Sequence, residues 1–190
     1  VCVDADPFEL TGATPTGGVY SGTGVSNNTF NPAAAGVGAH TITYTYTAGT
    51  CVVAKTFTIT VNPLPVIVTP TIAPVCLNAA PFALTGATPT GGTYSGTGVS
   101  NNTFNPAVAG VSTHTITYTY TNANGCSNSA TFNIVVKPLI AITSQPVSVT
   151  VLEGSDVTFT VVAENAESYQ WEVSIQGAPW VALQGETDAT

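Results

Sequence analysis

The stretch Leu10 to Ala33, LTGATPTGGVYSGTGVSNNTFNPA, decides the fold because the chain contains it twice. It returns as Leu84 to Ala107, an offset of 74 (84 minus 10), with one change, Val19 to Thr93. A copied block of this length means a module repeated in tandem, and that fixes the architecture before any local reading. The match runs outward from both ends. Cys2 aligns with Cys76, Pro7-Phe8 with Pro81-Phe82, and the run His40–Thr47 with His114–Thr121. Cys51 then aligns with Cys126 after one extra residue in the second copy's turn. The expected domains are residues 1–63, residues 64–138, and a remainder of different sequence, 139–190.

Within each copy the periodicity is that of strands. Ile42, Tyr44 and Tyr46 alternate with Thr41, Thr43, Thr45 and Thr47, and Phe57, Ile59 and Val61 alternate with Thr56, Thr58 and Thr60. Period-two alternation marks a sheet with one wet face, and the two runs read as a hairpin. Shorter strands are expected at Phe8–Leu10, Val19–Ser21 and Thr29–Phe30. Turns fall at Thr14–Gly18 and Asn27-Asn28, with a loop from Asn31 to Ala39. Pro63 and Pro65 make a stiff linker. Many short strands with regular turn signals predict an all-β sandwich in each copy. In the remainder, strands are expected over Gln145–Val151, Asp156–Ala163 and Ser168–Val173, with Trp171 as core anchor, and another opening at Trp180.

The second copy is preceded by a strand-like run, Val66–Pro74, that has no counterpart ahead of Val1. The remainder stops about halfway through a sandwich. Both ends therefore read as cuts in a longer chain. Neighbouring chain would cover the exposed edges, or a strand donated by another copy in a filament.

Composition narrows the functional classes. Only 6% of residues are charged, Lys55 and Lys137 are the only cations, and the formal charge is -8. No basic footprint for nucleic acid or an anionic membrane exists, and no apolar run reaches the roughly 20 residues of a spanning helix. Four Cys in two equivalent pairs favour disulfides and an oxidising compartment.

Several residues resemble known modules. Gln145-Pro146, Gly154–Phe159 and Tyr169-Gln-Trp171 resemble the first half of an immunoglobulin-like domain, with Val161 where that family's core Cys would stand. The motifs PFxLTG, PTGGxYSGTGV, FNP and HTITYTY, which cover most of residues 2–139, resemble the Ig-like repeats of large surface and secreted adhesins of Bacteroidota. The resemblance implies tandem immunoglobulin-like β-sandwiches in an elongated array, a stalk or fibre at the cell surface, and export by the type IX route. It implies no activity, because such modules carry many functions. The partners it implies are neighbouring Ig-like domains of the same chain and other copies in a filament. Two other readings stay open: a module whose pole loops bind glycan or protein, and a non-catalytic spacer of a secreted enzyme.

Each copy is expected to close its own disulfide, Cys2–Cys51 and Cys76–Cys126, because each pair lies next to strand boundaries that can share a pole of an Ig-like sandwich. Unpaired Cys buried as small hydrophobes is the alternative. No catalytic, cofactor or metal site is expected. His40 and His114 read as structural residues at a strand start. Asp4 and Asp6 are too few for calcium, and the second copy has Asn78 and Ala80 there. Lys55 and Glu9, replaced by Ala130 and Ala83, are expected on opposite sheet faces. The Thr ranks suggest an ice-binding array until Asn133 and Val135 interrupt the second copy's rank; strand propensity suffices for them. Asn27 and Asn101 head glycosylation sequons that also read as turns.

Overall fold

A computed structural model describes residues 1–185; the last five residues of the 139–190 region lie outside the described residues. Among the described residues the protein is all-β apart from two four-residue helices. The first copy builds β1 (Phe8–Glu9), β2 (Val19–Ser21), β3 (Val25–Ser26), β4 (Thr29–Phe30), α1 (Pro32–Ala35), β5 (Gly38–Ala48) and β6 (Cys51–Val61). One sheet runs β1-β4-β3 and the other β2-β5-β6. The second copy builds β7 (Val75–Cys76), β8 (Phe82–Ala83), β9 (Thr93–Ser95), β10 (Val99–Ser100), β11 (Thr103–Phe104), α2 (Pro106–Ala109), β12 (Ser112–Thr121) and β13 (Ser127–Lys137). Its sheets are β10-β11-β8 and β7-β13-β12-β9. Cys2 bridges Asn62 in parallel, which is the first copy's version of the β7–β13 pairing.

Each copy has its own core. Leu10, Tyr20, Phe30, Ile42, Tyr44 and Val61 form the first, and Leu84, Phe104, Ile116, Ile134 and Val136 the second. Both sheets of a copy feed one core, because period-two alternation turns every second residue inward. Phe30 and Phe104, each fully buried, come from one sheet; Ile42 and Ile116, equally buried, come from the other.

The Asn31–Ala39 loop contains a helical turn, α1, that the Ala/Gly run did not suggest. Asn31 caps it by accepting the Ala34 N–H at 3.1 Å, and Pro32 occupies the first turn where a missing N–H costs nothing. Gly36 ends it at φ 81 and ψ 173, a region open essentially to Gly alone. The Gly36 carbonyl accepts a hydrogen bond from His40 Nε2–H at 2.8 Å, and the ring lies 6.3 Å from that of Phe30. His114 repeats this with Gly110 and Phe104. The histidines thus fasten the helical turn to the long strand.

The remainder differs from expectation. Its strands are β14 (Ala141–Ser144), β15 (Val162–Glu164), β16 (Glu172–Val173) and β17 (Val181–Ala182), in two separate two-stranded sheets. The run Gln145–Val151 takes no strand pairing, and only the end of Asp156–Ala163 does. Val147, Leu152 and Trp180 are 81%, 84% and 71% exposed. Two-stranded sheets cannot bury both their own apolar faces and these side chains, so the alternation finds no second layer to pack on.

Candidate functional site: the bridged junction between the repeats

The junction is made by opposite poles of the two copies. Val3 N–H donates to the Asn62 carbonyl at 3.0 Å and Asn62 N–H to the Val1 carbonyl at 2.8 Å, so Cys2 lies beside the end of β6, where the first copy exits. Cys126 lies in the turn between β12 and β13, where the second copy is entered. The two Cys form a disulfide with Cα atoms 5.5 Å apart and a sequence separation of 124. Cys51 and Cys76 are free and exposed.

The pairing corrects the expected Cys2–Cys51 and Cys76–Cys126 bridges. Cys51 opens β6 while Cys2 sits beside Asn62, just past its other end. Eleven strand residues at ~3.3 Å each put those positions more than ~30 Å apart. A disulfide needs Cα atoms within about 7 Å. Cys76 pairs with Lys137 at the far end of β13 from Cys126, so the same distance forbids the second bridge.

Asn122 builds the receiving turn. Its side-chain oxygen accepts the N–H groups of Asn124 and Cys126, both at 3.0 Å, while its main-chain N–H donates to the Cys126 carbonyl at 2.9 Å. Its amide also reaches across the junction to the Pro63 carbonyl at 3.3 Å, and Asn128 reaches the Pro65 carbonyl at 3.0 Å. Proline carbonyls in a linker have no ladder to join, so these two amides satisfy them and fix the linker's path. Aligned with Asn122 and Asn128, the first copy has Ala48 and Val53. Its turn lacks this apparatus, and Cys51 stays exposed where Cys126 is buried to 1%.

Both copies hold the Thr11–Gly18 type of loop with two tyrosines. Tyr44 Oη donates to the Pro15 carbonyl at 2.5 Å and accepts the Gly18 N–H at 2.8 Å; Tyr20 Oη accepts the Ala13 N–H at 3.2 Å. Tyr118 and Tyr94 make the equivalent bonds to Pro89, Gly92 and Ala87. Gly18 is required there, since a Cβ would come to 2.5 Å from the Thr45 carbonyl. Shallow clefts of about 210 and 240 Å³ lie under these loops, lined by hydroxyls, glycines and main chain without a charged side chain.

Asn28 and Asn102 sit at positive φ and accept the Tyr20 and Tyr94 N–H groups at 2.8 Å, so the sequon segments are ordered turns. Lys55 stands opposite Tyr44 and Glu9 opposite Thr29, in different sheets. Among the described residues no group of three or more His, Cys, Asp or Glu gathers, and no helix is long and apolar enough to cross a membrane. One ion pair absent from the expectations joins Lys137 Nζ to Glu167 Oε1 at 2.5 Å, linking β13 to the region that follows. The hydrogen bond and charge of Lys137 hold the Glu167 carboxyl below its ordinary value. No family model matches the chain, and no curated protein does.

Proposed function

We propose that the chain is a segment of an extracellular stalk or fibre of a surface adhesin, made of Ig-like sandwiches, and that its task is to transmit tension between what lies on either side. The observation that carries this is the Cys2–Cys126 bridge. Force entering near Val1 crosses the bridge at Cys2 and continues into β13 from Cys126. The chain between them is bypassed, including the whole first core, the proline linker and, of the second core, Leu84, Phe104 and Ile116. A head-to-tail covalent staple has this mechanical effect and offers nothing to a soluble binding loop. A disulfide also suits an oxidising exterior. The histidines serve packing, each ring fastening a helical turn to a long strand.

Single-molecule pulling between tags at the two ends tests it. With the bridge intact, lengthening comes only from chain after Cys126. With reductant present, the separation of 124 residues adds roughly 430 Å of contour at ~3.5 Å per residue. Equal lengthening with and without reductant would sink the proposal.

A further inference from the structure

The two copies differ in how the core-facing side of their closing strand is covered. In the second copy, residues 66–74 lie over it. Val68 exchanges main-chain bonds with Thr88, N–H to carbonyl at 2.9 Å and the reverse at 3.0 Å. Pro70 approaches Gly86 so closely that a Cβ there would meet it at 3.3 Å, and Ile72 packs on the core. Ala87 is buried to 3% and Phe132 is partly buried.

The first copy has the same seat without a cover. Phe57, Lys55 and Val53 share the face of Ile42 and Tyr44, their cross-strand neighbours' side of the sheet, which is otherwise the core side. Yet Phe57 is 41% and Val53 59% exposed. A Cβ on Gly12 would meet nothing within 4 Å, where Gly86 meets Pro70. Among the described residues, the Thr14 main chain has no counterpart to Thr88's pair of bonds. A groove of about 390 Å³ follows, lined by Ala13, Thr14, Tyr20, Tyr44, Lys55 and Phe57.

We infer that this groove is a strand-binding site, and that its occupant is an extended apolar segment of the Val66–Pro74 type, entering Val1 from its N-terminal side as Val66–Pro74 enters Val75. The recognition is that of strand addition: two main-chain hydrogen bonds at Thr14 set the register, and alternate aliphatic side chains fill the space beside Phe57. Lys55, where the second copy has Ala130, lines the groove and can cover an apolar occupant with its methylene stem while its ammonium stays in water.

The test fuses the nine residues copied from 66–74 directly ahead of Val1 in the full chain and reads amide exchange at Thr14. The bond that the Thr14 N–H donates to the added segment should slow exchange at Thr14 by about tenfold or more, toward the rate at Thr88. An extension with Asp in place of the residues copied from Val68 and Ile72 should restore fast exchange. Unchanged exchange in the fused chain would overturn the inference, as would equal protection by the Asp-bearing extension. So would protection by the free nonapeptide when the fused one gives none, because the occupant would then be a separate polypeptide.

Discussion

Removing the inter-repeat bridge should cost more than any single packing change in either core. The perturbation is Cys2→Ser, or reduction. The closed loop has a sequence separation of 124. Chain entropy for a loop of that size gives about 5 kcal/mol, lost because the unfolded chain regains its freedom. Against a typical domain stability of about 5–15 kcal/mol that is a large share. With a urea slope of ~2 kcal/mol/M, the midpoint of the transition covering both copies should fall by roughly 2.5 M. Far-ultraviolet circular dichroism and tyrosine fluorescence follow it, since Tyr20, Tyr44, Tyr94 and Tyr118 all lie inside the loop. Cys51→Ser and Cys76→Ser are the controls: both thiols are free and exposed, so each should move stability by less than about 0.5 kcal/mol. If Cys51→Ser proves as costly as Cys2→Ser, or if reduction leaves the midpoint in place, the bridge assignment is refuted and the tension path goes with it.

Other changes should behave as follows. Tyr44→Phe and Tyr118→Phe each delete a hydroxyl that makes two hydrogen bonds to its loop, and each should cost about 1–3 kcal/mol in urea unfolding. Gly110→Ala, at φ 84 and ψ 171 with open space around it, should cost about 1–3 kcal/mol from backbone strain alone, measurable as a lowered melting temperature. Replacing His114 by Phe keeps an aromatic ring but loses the bond to the Gly110 carbonyl, at about 1 kcal/mol by urea titration. The Lys137–Glu167 pair stabilises the folded chain above the unfolded carboxyl's 4.5, and that contribution is lost as pH falls through the lower folded value. Carbon-13 titration should find the Glu167 carboxyl depressed in the native chain and returned toward 4.5 in Lys137→Met.

The hairpins and the strand faces are legible because they rest on period-two alternation, repeated in an internal duplicate. Ile42, Ile116 and Ile134 are all fully buried, as their parity requires. The tyrosine-pinned loops left a trace in the sequence only as conserved spacing between the two copies; nothing in Pro15 or Gly18 says which hydroxyl will reach them. The helical turns after Asn31 and Asn105 could have been found from the Asn-Pro pair, a capping residue followed by a proline suited to a first turn. In the remainder, alternation is present without a partner layer, and Val147, Val149 and Val151 stay exposed despite it.

The disulfide pairing departs from the within-repeat expectation for a reason that lies in strand length. Sequence places Cys2 near one strand boundary and Cys51 near another, but not which ends of an eleven-residue hairpin those boundaries occupy. The Cys2 segment joins the closing strand in parallel at its last residues, and that single register puts the module's two Cys at opposite poles. Identical modules can then be linked head to tail with one repeated geometry, first Cys of one copy to turn Cys of the next. The differences between the copies now acquire a meaning. Asn122, Asn128 and the extra turn residue belong to the copy that receives a neighbour at this junction, where Ala48 and Val53 stand in the first copy. Near-identity elsewhere maintains two separate cores, while divergence at the turn builds the contact between them. In a tandem array the positions that break the repeat are therefore the ones to read for the interface.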